Sequence, residues 1–269
     1  MKLALCTIQR DRGPWLKEWF AFHYLMGVRK FYFFAHKCTD NTARVIAELQ
    51  QHFDIAAFQM PDDVATPQLA AYQYTYQNFS HEFDWVGFID GDEFLFPTEG
   101  EDIRPVLEAY AYQKLSALAV YWACFGSSGH LSEPEGLITE NYRMRPPLDF
   151  ADNRHVKSIV LGRQPTTFKI LTNSHLFGTL NGTVDEQMRL VTSGVSEHEP
   201  SYNKLRINHY CCQSLEYFRK FKKGSGAPDS NPHLIRPDSW WEKYDRNDER
   251  DVSLLRFAPK LRDLVASIQ

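Results

Sequence analysis

The chain has 269 residues and a net charge of −4, with 43% hydrophobic and 24% charged residues. This composition is typical of one large folded domain or two small ones, and it excludes a mainly disordered or collagen-like chain. The slight acidic excess argues against a nucleic-acid-binding protein, because such proteins carry a basic surface.

Strand and helix signals alternate over the first ninety residues. Short apolar runs predict strands at 3–8, 30–36, 53–58 and 85–89. Apolar positions at helical spacing, with proline or polar caps before them, predict helices at 14–27, 39–52 and 69–79. Such alternation predicts a parallel sheet covered by helices, in which ligands bind at the carboxyl ends of the strands.

The second half of the chain is less regular. We predict a helix at 101–114, a strand at 116–125, a turn with the sequence FGSSGH, and a mixed segment to about residue 195. A basic, aromatic helix follows at 215–223, and a helix from about residue 248 ends the chain. Residues 224–238 are rich in Gly, Pro, Ser and Asp, which predicts a mobile loop able to close over a ligand. No internal repeat or long linker is present, so we expect a single domain.

The first residues and the cysteines indicate where in the cell the protein is expected. No apolar run reaches the roughly 18 residues of a membrane-spanning helix, and the first apolar stretch ends at Gln9, too early for a secretory signal peptide. The five cysteines show no metal-ligand spacing, and Cys211 and Cys212 are adjacent. We therefore expect a cytoplasmic protein whose reduced cysteines act as small buried apolar residues.

An acidic motif, Asp90-Gly91-Asp92-Glu93, directly follows the fourth predicted strand. Two aspartates one residue apart at a strand end can face one hard cation, and Mg²⁺ or Mn²⁺ commonly joins such carboxylates to phosphate groups. Gly91 permits the sharp turn between them. The motif therefore predicts a metal site, and the alternative is a pair of acids that caps a helix or a turn.

Several blocks of the sequence, in order, resemble glycosyltransferase family 92 and its bacterial relatives, which are metal-dependent enzymes of the GT-A fold. These blocks are RDRGPWLKEWFAFHYLMGVRKFYFF, CTDNT, DWVGFIDGDEFLFP, YWACFGSSGH, VKSIV, INHYCCQSLEYFRKFKKG and DRNDERDVSLLRFAP. The resemblance implies one Rossmann-like α/β domain with a mixed, mostly parallel sheet flanked by helices. Residues 1–97 would form the nucleotide-binding half with the metal motif, and residues 98–269 the acceptor half and C-terminal helices.

The resemblance also implies an inverting transfer of a hexose, with galactose as one candidate, from a UDP-sugar to a glycan or lipid-linked acceptor. The metal would neutralise the diphosphate leaving group. Asp92 would ligate it directly, and Asp90 would lie near the ribose or in the metal's water shell. His209 in INHY would be a late ligand, which favours Mn²⁺ over Mg²⁺ because imidazole suits Mg²⁺ poorly.

Further residues are expected to contact the donor. Arg10 would meet the diphosphate, Asp11 the uracil or ribose, and Asp40 the nucleoside, with Lys157 in VKSIV as another diphosphate contact. Arg12 stands where the family usually carries glutamate, which weakens the expectation of a base contact there. The alternative for these residues is capping and surface charge.

The acceptor side and the general base are predicted less directly. The small and polar side chains of FGSSGH would line the donor-sugar or acceptor site, namely Ser127, Ser128 and His130. The base that an inverting transfer requires would be Asp185 or Glu186, with Glu133 as a second candidate. If the acceptor is lipid-linked, residues 217–223 are a candidate peripheral contact with the inner membrane, although a solvated helix is the simpler interpretation.

Two other functions fit parts of the sequence. A nucleotidyltransferase that makes sugar nucleotides shares such a sheet and metal site, but it needs a glycine-rich phosphate loop after the first strand, and RDRG is poor in glycine. A non-catalytic carbohydrate-binding protein could keep a transferase fold, but it would have no need for Asp90, Asp92 and His209 together.

Overall fold

The apolar runs of the sequence form the strands of the protein, as seen in a computed structural model that describes residues 1–162, 171, 173–178, 180–231 and 233–268. The described strands are β1 (Leu3–Gln9), β2 (Lys30–Ala35), β3 (Ile55–Gln59), β4 (Trp85–Phe88), β5 (Glu93–Pro97), β6 (Ala117–Cys124), β7 (Met144–Arg145), β8 (Val156–Leu161), β9 (Thr183–Val184), β10 (Leu190–Val191), β11 (Leu205–His209) and β12 (Glu249–Arg250).

The helices alternate with the strands in the first half, as the sequence predicts. They are α1 (Gly13–Leu25), α2 (Thr42–Leu49), α3 (Pro67–Phe79), α4 (Arg104–Tyr110), α5 (Ile138–Asn141), α6 (Leu215–Tyr217), α7 (Asp238–Tyr244) and α8 (Ala258–Ser267). The single turn of α6 continues as a π-helix, Phe218–Lys222. Among the described residues, no helix has both the length and the apolar character needed to cross a bilayer.

Ten of the described strands belong to one curled sheet in the order β10-β9-β6-β8-β4-β1-β2-β3, with β11 joined to β6 and β5. β1 runs parallel to β2 and β4, and β2 runs parallel to β3. β8 lies antiparallel between β4 and β6, and β11 is parallel to β6 but antiparallel to β5. The mixed, mostly parallel sheet flanked by helices is therefore confirmed.

α1 anchors the first half of the sheet to the acidic motif. Proline in its first turn fixes where it begins, and it ends before Gly27, whose φ of 97° needs glycine. Its Trp15, Trp19, Phe20 and Phe22 side chains are buried, and burial of each stabilises the fold by roughly 2–3 kcal/mol. The Trp19 Nε1–H donates to the carbonyl oxygens of Asp90 and Glu93 at 3.2 and 3.0 Å, which fixes the backbone of the motif.

The C-terminal region differs from the sequence prediction. The helix expected from about residue 248 begins only at Ala258, because Glu249 and Arg250 form β12 against β7. Arg145 of β7 holds this pairing through ion pairs of 2.7 Å with both Glu249 and Asp251. α7, immediately after the predicted loop, was not expected from the sequence.

Candidate active site

A cavity of about 310 Å³ opens at the carboxyl ends of β1 and β4, where the parallel sheet was expected to bind ligands. Its walls include residues of both chain halves, from the end of β1 at Gln9 to Tyr244 of α7, and include the segment 225–229. Four of the predicted site residues line it, namely Arg10, Asp90, Asp92 and His209. The acidic motif thus lies inside a cavity rather than on an open surface turn.

Asp90 is held in place from three sides. Its Oδ1 accepts hydrogen bonds from Gln68 Nε2 at 2.6 Å and the Tyr72 hydroxyl at 3.1 Å, one turn apart on α3. Its Oδ2 lies 3.0 Å from the Nζ of buried Lys157, which β8 places beside the end of β4. Burial acts to raise the pKa of Asp90, but Lys157 and His175 together favour the carboxylate, and the net pKa is lowered. The predicted contact residue Lys157 therefore reaches the site through Asp90.

Asp92 is buried and lies next to one lysine and one histidine. Its Oδ2 accepts from Lys222 Nζ at 2.5 Å, and its Oδ1 lies 3.6 Å from His209 Nε2. Burial acts to raise the pKa of Asp92, but Lys222 and His209 outweigh it, so this pKa lies well below its ordinary value. Asp92 is consequently an anion at neutral pH.

The sheet register explains why His209 reaches the acidic motif. His209 ends β11, where it pairs with Glu93 of β5 and with Cys124 of β6. The Tyr210 N–H also donates to the Asp92 carbonyl at 2.9 Å. Asp92 raises the pKa of His209 against the opposing effect of burial. The predicted late histidine and the acidic motif are therefore brought together by strand pairing.

Basic side chains surround the anionic motif. Arg12 is buried, and its guanidinium donates to Gln213 Oε1 at 2.6 Å, to the Tyr217 hydroxyl at 2.7 Å and to the Gly91 carbonyl at 3.0 Å. Arg236 donates to the Lys222 carbonyl at 2.9 Å. With Arg10 and Lys222, these two arginines place four cations in the lining of the cavity, which suits an anionic ligand.

Aromatic rings form another part of the wall. The Trp122 ring lies 4.1 Å from that of His209 and stacks on His155, with centroids 4.7 Å apart and planes at 12°. Trp240 and Tyr244 of α7 also line the cavity. Flat rings of this kind pack against bases and sugar rings.

Asp11 and Asp40 join two loops and do not line the cavity formed by the described residues. Asp11 Oδ1 accepts from the backbone N–H groups of Thr39 and Asp40 at 2.6 and 3.1 Å. Asp40 accepts from the N–H of Gly13 and of Thr42, both at 2.9 Å, at the starts of α1 and α2. Their nucleotide contacts stay predictions, and their observed contacts are those of loop and helix ends.

The FGSSGH turn lies outside the cavity lining of the described residues and is bonded within the protein. Ser128 Oγ accepts from the N–H groups of Arg143 and Met144 at 2.7 and 3.0 Å. Ser127 Oγ accepts from the Gly129 N–H at 3.1 Å, and His130 Nε2 lies 3.3 Å from the Asn141 carbonyl. These hydroxyls and the imidazole therefore stabilise the turn, and their sugar contacts stay predictions.

The three acids predicted as general bases do not belong to the cavity lining formed by the described residues. Each of them is instead hydrogen-bonded to other parts of the protein. Asp185 accepts from the Gln187 and Arg189 N–H groups and forms an ion pair with the Arg189 side chain. Glu186 accepts from the N–H groups of residues 203, 204 and 205. Glu133 accepts from four side chains, Trp15, Tyr142, Gln213 and Ser214.

The carboxylate that the sequence analysis missed is Asp229. It lines the cavity on the segment 225–229, and its Oδ2 accepts from the Ser174 hydroxyl at 2.7 Å. Gln68, Trp122 and Arg236 were missed as well, and Arg12, for which the expectation of a base contact was weak, also lines the cavity. For Gln68 and Tyr72 the helical spacing of four residues was visible, but nothing local showed that this face meets Asp90.

Solved structures give a loose overall likeness. S. aureus TarS has a TM-score of 0.38 at 12% identity, over 60% of this chain and 28% of that chain. The structure of S. aureus TarS 1–349 in complex with UDP-GlcNAc has the same TM-score at 13% identity, over 60% of this chain and 46% of that chain.

Sequence relatives come from one family. The chain is 25% identical over 264 residues to a glycosyltransferase family 92 protein of Oryza sativa subsp. japonica, covering 90% of this chain and 42% of the relative. It is 25% identical over 288 residues to one of Ricinus communis, covering 98% of this chain and 49% of the relative. The chain thus spans less than half the length of these relatives. Residues 2–241 match the family model itself, so the chain belongs to glycosyltransferase family 92.

Proposed function

We propose that this chain is a metal-dependent, inverting glycosyltransferase that moves a hexose from a UDP-sugar to a hydroxyl of a glycan or lipid-linked acceptor. One observation carries the proposal: a single cavity combines Asp90, Asp92 and His209 with four basic side chains. The acids and the imidazole suit a divalent cation, and the basic side chains suit phosphate. A metal-bound nucleoside diphosphate would contact both groups at once: its metal would bind the acids and the imidazole, and its phosphates would bind the basic side chains.

The residues present fit a divalent cation. Asp92 Oδ1 and His209 Nε2 are 3.6 Å apart, and both side chains are buried with access to the cavity. One carboxylate oxygen and one imidazole nitrogen suit Mn²⁺ better than Mg²⁺. Asp92 and His209 would hold the ion, and Asp90 would contact the ribose or the water shell. When bound, the metal would neutralise charge that develops on the diphosphate leaving group.

The basic side chains would bind the diphosphate. Lys222 is paired with Asp92, so its charge becomes available to a phosphate oxygen when a cation takes over that carboxylate. Arg236 lies next to Lys222, since it donates to the Lys222 carbonyl. Both residues come from 218–236, the part of the chain predicted as a basic helix and closing loop.

We place the general base at Asp229. The acceptor hydroxyl would give its proton to Asp229 as its oxygen attacks the anomeric carbon, and UDP would leave with the bonding electrons of the broken C–O bond. Asp229 lines the cavity and is oriented by Ser174. Asp185, Glu186 and Glu133 do not line it, which favours Asp229 among these acids.

The proposal is tested with a panel of UDP-hexoses in the presence and absence of Mn²⁺. We expect Mn²⁺-dependent release of UDP from one donor, accelerated by a suitable glycan acceptor and absent in Asp92→Asn. Release of pyrophosphate from UTP and a sugar phosphate would instead show a nucleotidyltransferase. Binding of glycans without any response to nucleotide or metal would show a carbohydrate-binding protein.

A further inference from the structure

Two buried thiols that the proposed function does not use form a cluster with His209, the histidine of the cavity. Cys124, at the end of β6, is the parallel-strand neighbour of His209, and Cys211 follows two residues later. Neighbours across a parallel pair point to the same side of the sheet, and Cys211 lies just past the end of β11. The three side chains therefore converge, although their sequence spacing gives no sign of a metal site.

The distances within this cluster are close to those of a metal site. One ligand atom from each of Cys124, His209 and Cys211 lies within 4.8 Å of the others. Two sulfurs bound to one zinc ion lie at most about 4.6 Å apart, because each Zn–S bond is about 2.3 Å. Small side-chain shifts would therefore bring all three atoms onto one ion.

The second observation is a buried nitrogen of His209 that lacks a partner among the described residues. The His209 side chain is only 8% exposed, and its Nδ1 has no hydrogen-bond partner within the part of the chain that the structure describes. Its Nε2 faces Asp92 at 3.6 Å. An imidazole that meets a carboxylate through one nitrogen and a metal through the other is a common arrangement in zinc sites.

We propose that Cys124, His209 and Cys211 form a second metal site, for Zn²⁺ or another thiophilic cation, behind the wall of the cavity. Thiolate ligands select such cations over Mn²⁺ and Mg²⁺. On binding, the two thiols release their protons to solvent as two metal–sulfur bonds form. The cavity gives the ion access, since His209 lines it while both cysteines are fully buried.

The site is tested on the full chain, purified under reducing conditions and titrated with Co²⁺ and then with Zn²⁺. We expect one equivalent of Co²⁺ to give a thiolate-to-metal charge-transfer band, and one equivalent of Zn²⁺ to abolish it by displacement. Cys124→Ala and Cys211→Ala should each lose the band, and His209→Ala should weaken Zn²⁺ binding at least about tenfold. Cys6→Ala is the matched control, because Cys6 is buried but lies outside the cluster.

Absence of a thiolate band in the wild-type chain would overturn the site even if the cysteine variants fail to fold. A band that persists in folded Cys124→Ala and Cys211→Ala would overturn it equally. Alanine is chosen because a serine hydroxyl would add an unpaired polar group to a buried position.

A second measurement links this site to the cavity, and it rests on the proposed function. With zinc on Nδ1, a neutral His209 carries its proton on Nε2 and cannot ligate Mn²⁺ there. Zn²⁺ should therefore lower Mn²⁺ affinity at least about tenfold in the wild type, but not in Cys124→Ala. Unchanged Mn²⁺ affinity alongside a clear thiolate band would keep the zinc site and reject His209 as the manganese ligand.

Discussion

Arg12 connects the acidic motif to the second half of the chain. Its guanidinium joins the motif backbone at Gly91 to Gln213 and Tyr217, which precede and form α6, and lies over the Trp15 ring at 4.4 Å. Gln213 continues the network to Glu133 at 3.1 Å. A buried cation with these partners fixes the acidic motif against the second half of the chain.

Arg12→Ala should destabilise the protein by about 2–4 kcal/mol, because it removes three hydrogen bonds from a charged donor and leaves buried acceptors unpaired. Denaturant unfolding measures this change. Arg10→Ala is the control: the Arg10 side chain is 40% exposed, so we expect a change within about 0.5 kcal/mol. Equal stability of the two variants would contradict the role given to Arg12.

The position of the general base gives a second prediction. Asp229→Asn should lower the transfer rate about 10²–10⁴-fold while UDP binding is retained, because only the proton acceptor is lost. Asp185→Asn should mainly lower stability, since Asp185 is fully buried and bonded to Arg189. Kinetics per folded molecule would separate the two, and an Asp229→Asn variant with full activity would reject our assignment.

The sequence predicts the residues of the acidic motif better than it predicts the base. Asp90 and Asp92 directly follow a strand, so topology alone places them at the ligand-binding edge. The resemblance implied that His209 belongs to the site. No local pattern indicated the strand pairing that brings it there. Asp185 and Ser128 also follow plausible signals, yet their polar atoms are bonded to nearby backbone, which only the tertiary structure reveals.

At the scale of elements, Glu18 joins α1 to the start of α5. Its carboxylate accepts from the backbone N–H groups of Ile138 and Thr139 at 2.6 and 2.9 Å and from the Thr139 hydroxyl at 2.8 Å. Burial raises the pKa of Glu18 to about 7, although these hydrogen bonds and Arg12 act to lower it. This contact is therefore sensitive to pH.

The pH dependence has a definite sign. A carboxyl whose pKa rises on folding, here from 4.5 to about 7, favours the folded state while protonated. That stabilisation is lost as the pH rises from 4.5 through 7, and amounts to about 3 kcal/mol at most. Relative to Glu18→Gln, the wild type should therefore lose stability between about pH 5 and pH 8. If the free energies of unfolding of the two proteins changed with pH in parallel, Glu18 would not titrate in this range.

Gly126 gives a prediction about the junction between β6 and the C-terminal segment. A Cβ on Gly126 would lie 2.3 Å from the Arg246 carbonyl oxygen, so Gly126→Ala should destabilise the fold by roughly 1–3 kcal/mol or more. Gly224→Ala is the matched control, because nothing lies within 4 Å of a Cβ there. Thermal unfolding compares them, and similar melting temperatures would show that this junction can move apart.

The first half of the fold follows from local pattern, whereas the second half does not. Alternating apolar runs and caps predict β1 to β4 and the helices between them to within about three residues at each end. β12 was missed because two charged residues, Glu249 and Arg250, form it through pairing with β7 rather than through any apolar pattern. β5 was missed because it begins within the acidic motif, at Glu93, with no turn signal between the motif and the strand.

At the scale of the whole molecule, the cavity depends on both halves of the chain. The parallel strands supply the acidic motif, while residues from 209 onward supply the histidine, Lys222 and Arg236. One apolar core extends from Leu3 to Ile268, so the two halves are packed together rather than hinged on a linker. This architecture lets a bound diphosphate join two surfaces that are distant in sequence.

The most direct test of the central claim is calorimetric titration of UDP with and without Mn²⁺. We predict that wild-type protein binds UDP at least about tenfold more tightly with Mn²⁺, and that Asp92→Asn loses this dependence. Asp185→Asn should keep it, because its carboxylate lies outside the cavity lining. UDP binding that is absent, or equally strong without Mn²⁺ in both the wild type and Asp92→Asn, would contradict a metal-dependent nucleotide site.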